Sequence, residues 1–175
     1  MSRAVLALGA NLGDREATLR AALRGLGERL VAVSSGYQTP PWGDPDQPPY
    51  LNAVAVVEDD ALDADGWLAL AHRLETAGGR IRDPARRYGP RTLDVDVIAV
   101  WRTGSGAGRE PVVRDDPALT LPHPRAHLRA FVLVPWAEIE PDAQLPGHGP
   151  ITDLLGTEAV AADVPGVTRL GPLTG

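Results

Sequence analysis

Apolar positions in this chain recur with two different periods, and the changes of period divide it into elements. AVLALGAN is a short continuous apolar run up to Gly9, which predicts a buried strand. Asn11 to Asp14 follow as a turn. Asp14 can cap a helix over 15–30, on which Leu19, Leu23, Leu26 and Leu30 share one face. GANLGD lacks the spacing of a phosphate loop or a dinucleotide fingerprint and reads as a strand-to-helix turn. Strand character returns over 31–37. TPPWGDPDQPP then sets five prolines between Gln38 and Leu51, too many for regular structure. LNAVAVVE, 51–58, is a third strand.

Asp63 opens a second helix with Trp67, Leu70, Ala71 and Leu74 as its buried stripe, and Gly78 and Gly79 stop it. In LDVDVIAVW the expected alternation puts Leu93, Val95, Val97, Ala99 and Trp101 on one side. Asp94, Asp96, Ile98 and Val100 fall on the other. Residues 102–110 read as a hairpin tip or loop, PVVRDDPALTLPHP as extended chain, and FVLVPWAEI as a helix with its proline near the first turn. ITDLLG reads as a short helix capped by Thr152, and VTRL as a last strand. The order strand, helix, strand, strand, helix, strand is a split βαβ pattern. It predicts an α+β, ferredoxin-like sandwich with a mainly antiparallel sheet and helices packed on one face. No repeat or long linker divides the 175 residues, so one domain over 1–175 is expected.

Composition narrows the chemistry. No apolar run reaches membrane-span length, and the first residues lack the apolar core of a signal peptide, so the cytoplasm is the expected location and no membrane partner is expected. With no cysteine, a metal must be held by oxygen or by the four histidines. A net charge of −6 argues against nucleic acid as the main partner. Against that background Arg80, Arg82, Arg86, Arg87 and Arg91 make a local cationic patch suited to a small anion.

That patch runs directly into Asp94 and Asp96. Side chains two apart on a strand share a face, roughly 6–7 Å apart at Cα, and two such carboxylates suit a hard cation such as Mg²⁺. With arginines aimed at the same place, a Mg²⁺-polyphosphate site is expected. The plainer readings are a solvated strand face and a surface or RNA-contacting loop. His123 and His127 have no third ligand and do not make a zinc site. Tyr50 and Phe131, beside rigid proline loops, could sandwich a flat heterocycle.

Four blocks, LALGANLGD, YQTPPWGDPDQPPYLNAV, GRIRDPARRYGPRTLDVDVI and LPHPRAHLRAFVLVPWAEIEPD, together resemble the 6-hydroxymethyl-7,8-dihydropterin pyrophosphokinase family from about Val5 to Asp153. The resemblance implies transfer of the diphosphate of ATP to the hydroxymethyl group of the reduced pterin, releasing AMP, in folate biosynthesis. It implies a monomer in which Asp94 and Asp96 hold two Mg²⁺ ions and act in catalysis with Arg82 and Arg91. Thr39, Pro41, Trp42, Tyr50, Asn52 and Phe131 would bind the pterin. ATP would meet Leu68, His72, Glu75, Arg80, Arg82, Tyr88, Arg91, Ile98, Thr120, His123 and Arg129. The chain departs from the commoner pattern at Tyr88, His72, Pro124 and Ala118, with Arg114 as a possible replacement charge for the last.

Overall fold

The computed structural model describes residues 1–41, 45–79, 92–106 and 108–174. Its core is an antiparallel sheet in the order β11-β3-β4-β1-β5-β6, with β2 also paired to β4. The central strands are β1 (Ser2–Ala10), β4 (Tyr50–Asp59) and β5 (Asp94–Thr103). β2 (Leu30–Val33) and β3 (Gly36–Thr39) lie end to end along β4. The strand expected over 31–37 is thus two strands. Between them the Ser34 hydroxyl accepts the Val54 N–H at 2.9 Å, so a side chain stands in for one rung of the ladder. β6 (Arg109–Pro111) closes a hairpin with β5, and β11 (Thr168–Gly171) pairs with β3.

Helices α1 (Arg15–Leu26) and α2 (Ala64–Ala77) begin at aspartate caps. Asp14 accepts from the Ala17 N–H at 3.0 Å and Asp63 from the Gly66 N–H at 2.9 Å, each satisfying a donor of the first turn. Leu19, Leu23 and Leu26 of α1 and Trp67, Leu70, Ala71 and Leu74 of α2 are buried on the sheet face that carries Leu6, Leu8, Ala53 and Val95. The one-face packing expected of the helices holds for this pair. The 15–30 helix ends earlier, at Leu26, because Gly27 takes φ 59° and the chain tightens into a 3₁₀ turn.

The C-terminal third covers the opposite face. α3 (Ala130–Ile139), α4 (Ile151–Leu155) and α5 (Glu158–Ala161) pack Val132, Leu133, Trp136, Ile151 and Val160 against Val5, Val54, Val56 and Ile98. Pro135 lies in the interior of α3 rather than in its first turn, so the Phe131 carbonyl has no proline N–H to accept. Thr152 is inside α4 and does not cap it. Two small ribbons complete the chain: β7 (Arg114–Asp115) with β8 (Thr120–Leu121), and β9 (Gln144–Leu145) with β10 (Gly149–Pro150). Among the described residues no helix is long and apolar enough to cross a membrane.

One correction to the strand pattern matters for the site. Val5 pairs with Ala99 and Leu6 with Val97, so Ile98 is an extra, bulged residue. Beyond the bulge the alternation reverses: Val100 joins the α1/α2 core, while Ala99 and Trp101 join the α3 side with Ile98. Asp94 and Asp96 precede the bulge and keep the shared face expected of them.

Candidate active site

Register across three strands builds the floor. Gly9 of β1 lies opposite Asn52 on one side and Asp94 on the other, and Ala7 lies opposite Val54 and Asp96. Two small residues of β1, Ala7 and Gly9, therefore separate a polar amide from the pair of carboxylates. A Cβ at Gly9 would come 2.8 Å from Asn52 Oδ1, so only glycine fits there without moving the amide. Asn52 donates from Nδ2 to Thr39 Oγ1 at 2.7 Å, a diagonal contact across the β3–β4 pair.

Above this floor a cleft of about 380 Å³ is lined by Thr39, Pro40, Tyr50, Asn52, Asp94, Asp96, His123, Arg129 and Phe131 among others. Its proline rim is fixed from α1 and the turn before it. Arg15 donates to the Pro49 carbonyl at 2.7 Å and to Gln38 Oε1 at 3.2 Å, and Asn11 donates to Gln47 Oε1 at 2.9 Å. On the opposite wall the Arg129 guanidinium sits 5.5 Å from the Phe131 ring centroid and 3.4 Å from Asp96 Oδ2. A flat, polar-edged ligand suits such a cleft, with a ring for its face and Asn52 and Thr39 for its edge.

A second cleft, about 300 Å³, runs along the outer side of β5, where β6 pairs only with Trp101–Thr103. Leu68, His72 and Glu75 on one face of α2 form one wall, and residues 116–120 with His123 and Pro124 the other. Glu75 is buried and accepts the Val95 N–H at 3.0 Å, tying the helix to the strand between the two aspartates. At the end of α2, a Cβ at Gly78 would come 2.8 Å from the Cβ of Leu93, so this close approach fixes where β5 begins. Both clefts are lined by Asp94, Asp96, His123 and Pro124.

His123 at this junction is neutral near pH 7. Burial first, then the charges of Arg129 and Arg125, push its imidazole down to about 4, with Asp94 pulling the other way. Its Nδ1 accepts the Arg125 N–H at 3.2 Å, which makes Nε2 the protonated nitrogen. Asp94 and Asp96 offer oxygen donors only. Among the described residues no group of three His, Cys, Asp or Glu side chains is gathered that could cage a metal. A two-carboxylate platform fits Mg²⁺, which keeps water and takes the remaining oxygens from a bound phosphate chain.

The sequence-derived residues fall as follows. Thr39, Tyr50, Asn52 and Phe131 line the first cleft, and Leu68, His72, Glu75 and Thr120 the second; His123 lines both, and Arg129 lines the first. Pro41 faces a neighbouring groove behind Phe131. The Ile98 side chain is buried in the α3-side core and lines neither cleft, while its carbonyl reaches this region, accepting the His123 N–H at 2.7 Å. Trp42, Arg80, Arg82, Tyr88 and Arg91 lie outside the described residues. Arg114, the candidate replacement charge for Ala118, is held beside that segment by two carboxylates. It is bound to Asp65 Oδ1 at 2.7 Å and to Asp116 Oδ2 at 2.6 Å, hydrogen bonds that raise its pKa further. Ala7 and Gly9 were missed by the sequence reading; the small residues spaced by two in LALGAN were the available signal.

Two clefts thus meet at one pair of carboxylates, an arrangement suited to group transfer between two bound molecules. The chain belongs to the 7,8-dihydro-6-hydroxymethylpterin-pyrophosphokinase (HPPK) family, whose model matches residues 5–141. A Mycobacterium leprae protein, 2-amino-4-hydroxy-6-hydroxymethyldihydropteridine pyrophosphokinase, is 48% identical over 177 residues, covering 99% of this chain and 91% of that protein. The Mycobacterium tuberculosis protein of the same name is 47% identical over 158 residues, covering 89% and 83%. Among solved structures, wild-type Plasmodium falciparum HPPK-DHPS superposes with TM-score 0.62 at 14% identity over 97% of this chain. At that identity the likeness concerns the fold alone, and the match spans 47% of the Plasmodium chain.

Proposed function

We propose that this chain transfers the β,γ-diphosphate of ATP to the hydroxymethyl group of 6-hydroxymethyl-7,8-dihydropterin, giving AMP and the pterin diphosphate, a step of folate biosynthesis. The observation that carries the reading is the junction: Asp94 and Asp96 line the acceptor cleft and the nucleotide cleft at once.

In the reaction the hydroxymethyl oxygen attacks the β-phosphorus, the bond from that phosphorus to the α,β-bridging oxygen breaks, and the hydroxyl proton is lost as AMP leaves. The chain's own part is positioning and electrostatics, which is most of what phosphoryl transfer requires. Asn52 and Thr39 hold the pterin edge, and Tyr50 and Phe131 hold its faces. Leu68, His72, Glu75 and Thr120 seat the nucleotide so that its phosphates run toward Asp94 and Asp96. Arg129 supplies positive charge beside Asp96, and neutral His123 offers an Nε2 N–H to a phosphate oxygen. Two Mg²⁺ ions held by Asp94 and Asp96 would neutralise phosphate charge and acidify the attacking hydroxyl. Arg82 and Arg91 would act on the phosphates, with Arg80 and Tyr88 in the same segment meeting ATP and Trp42 and Pro41 bordering the pterin.

The same reading takes the chain as one ferredoxin-like domain over 1–175 that works as a monomer in the cytoplasm. The sheet order β5-β1-β4-β3, with α1 and α2 on one face, supports that fold. Product identity tests the function. AMP formed from ATP only when Mg²⁺ and the hydroxymethyl pterin are both present is the expected result. ADP as product, or nucleotide turnover indifferent to the pterin, would contradict it.

A further inference from the structure

Residues 164–173 lie beyond the stretch matched by the family's model, and nothing in their sequence suggests a role. The fold packs them against β3 and α3, the two elements that carry Thr39 and Phe131 of the acceptor cleft. On one side β11 covers the otherwise open edge of β3, with Thr168 opposite Gln38, Arg169 opposite Tyr37 and Gly171 opposite Gly36. β3 is four residues long and ends at Thr39, the acceptor that orients Asn52. Leu173 is 5% exposed and anchors the tail beside this strand, where a Cβ at Gly36 would stand 3.3 Å from Leu173 Cδ2.

On the other side the tail meets the helix layer that carries Phe131. Val164 and Val167 pack on the core of α3 and α4. A Cβ at Gly166 would lie 3.5 Å from Pro40 Cδ, so the turn abuts the proline rim. Arg169 Nε lies 3.8 Å from Glu138 Oε1 of α3. That carboxylate also accepts from the Ser35 N–H, the Ser35 hydroxyl and, at 2.7 Å, the Tyr37 hydroxyl. One short segment thus braces the strand bearing Thr39 and the helix bearing Phe131. Among the described residues, none that line the nucleotide cleft come from it.

We infer that residues 164–173 are a positioning element for the acceptor: they hold β3 and Pro40 against α3, so that Thr39, Asn52 and Phe131 are set for a flat ring before it arrives. The inference rests on the pterin reading of that cleft. A four-residue strand paired on one side only opens locally at little cost, and each binding event would then have to order it. With the tail in place that ordering is already done.

The test uses the full chain with Leu173→Ala, Arg169→Ala and the double variant, measuring equilibrium pterin binding and the KM of each substrate. The double variant should bind the hydroxymethyl pterin about tenfold more weakly, while kcat and the KM for ATP stay within about twofold. Leu173→Met and Arg169→Lys should recover most of the pterin affinity. A tail that only stabilised the fold would reduce the amount of active enzyme, lowering apparent kcat and leaving the pterin KM unchanged. That outcome, or a parallel loss for ATP, overturns the inference. Failure of the pterin reading is distinct: the wild-type chain itself would then not bind the hydroxymethyl pterin.

Discussion

The two clefts that meet at Asp94 and Asp96 are built in different ways. The acceptor cleft is assembled across the sheet, from β3, β4, β1 and β5, by register and by hydrogen bonds between distant residues such as Arg15 with Pro49 and Asn52 with Thr39. The nucleotide cleft is assembled along the chain, from one face of α2 and the 116–124 segment beside it. The first is fixed by many independent constraints. Among the described residues, the ties of the second include Glu75 to Val95 and Arg114 to Asp65 and Asp116. Damage on the acceptor side should therefore show as lost recognition, and damage on the nucleotide side as weaker ATP binding.

The largest expected effect comes from the residues common to both. Asp96→Ala should lower turnover by about 10³-fold or more, with a melting curve close to that of the parent chain, because a half-exposed carboxylate on a strand face contributes charge rather than packing. Near-normal turnover in a folded Asp96→Ala protein would remove the junction from the account. Gly9→Ala should act on the acceptor side alone: the added methyl displaces Asn52, and the pterin KM should rise about tenfold or more with the KM for ATP little changed. Equal changes in both KM values would show that the two clefts are not separable.

Arg114→Ala is the matching variant on the other side. It frees residues 116–119 from α2, and steady-state kinetics should show the KM for ATP raised by about three- to tenfold with the pterin KM unaltered. The smallest effect is a pH dependence of stability in the brace between β3 and α3. Burial first, and then the Glu138 hydrogen bond and charge, push the Tyr37 phenol up to about 12 from 10.0, against a lowering by Arg169. The folded state favours the neutral phenol, so this contribution is complete below pH 10 and is lost as the pH climbs toward 12. Burial alone would raise Glu138, but hydrogen bonds from Tyr37 and Ser35 outweigh it and hold the carboxyl below its usual 4.5, so its contribution is lost as the pH falls through the acid range. Denaturant melts of Tyr37→Phe should lack the alkaline loss and show a smaller acidic one, because the Tyr37 hydrogen bond is the first of the effects that lower Glu138.

The parts of the molecule legible in the sequence are those set by local period and local chemistry. Asp14 and Asp63 as caps, the leucine stripes of α1 and α2, and the shared face of Asp94 and Asp96 all depend on neighbours within a few residues. What was not legible depends on partners far along the chain. The bulge at Ile98 arises from the register between β1 and β5, and an unbroken apolar run carries no mark of it. Gly9 and Ala7 become a floor only when β4 and β5 flank β1. Ser34 breaks a strand because its hydroxyl meets Val54, twenty residues away. The partner of Arg114 was hidden for the same reason, since Asp65 lies on a helix 49 residues earlier. The tail's bracing role is the extreme case, because its contacts are with β3, Pro40 and α3.

Asp94 and Asp96 line both clefts, and on the proposed reading it is the affinity for the nucleotide, not for the pterin, that depends on the cations they would hold. The most direct measurement is equilibrium binding of ATP, with and without Mg²⁺, and of the hydroxymethyl pterin, to the Asp94→Asn/Asp96→Asn double variant. Pterin affinity within about threefold of the parent chain, with the Mg²⁺ dependence of ATP binding abolished, is the expected result. ATP affinity that still responds to Mg²⁺ as in the parent chain would contradict it.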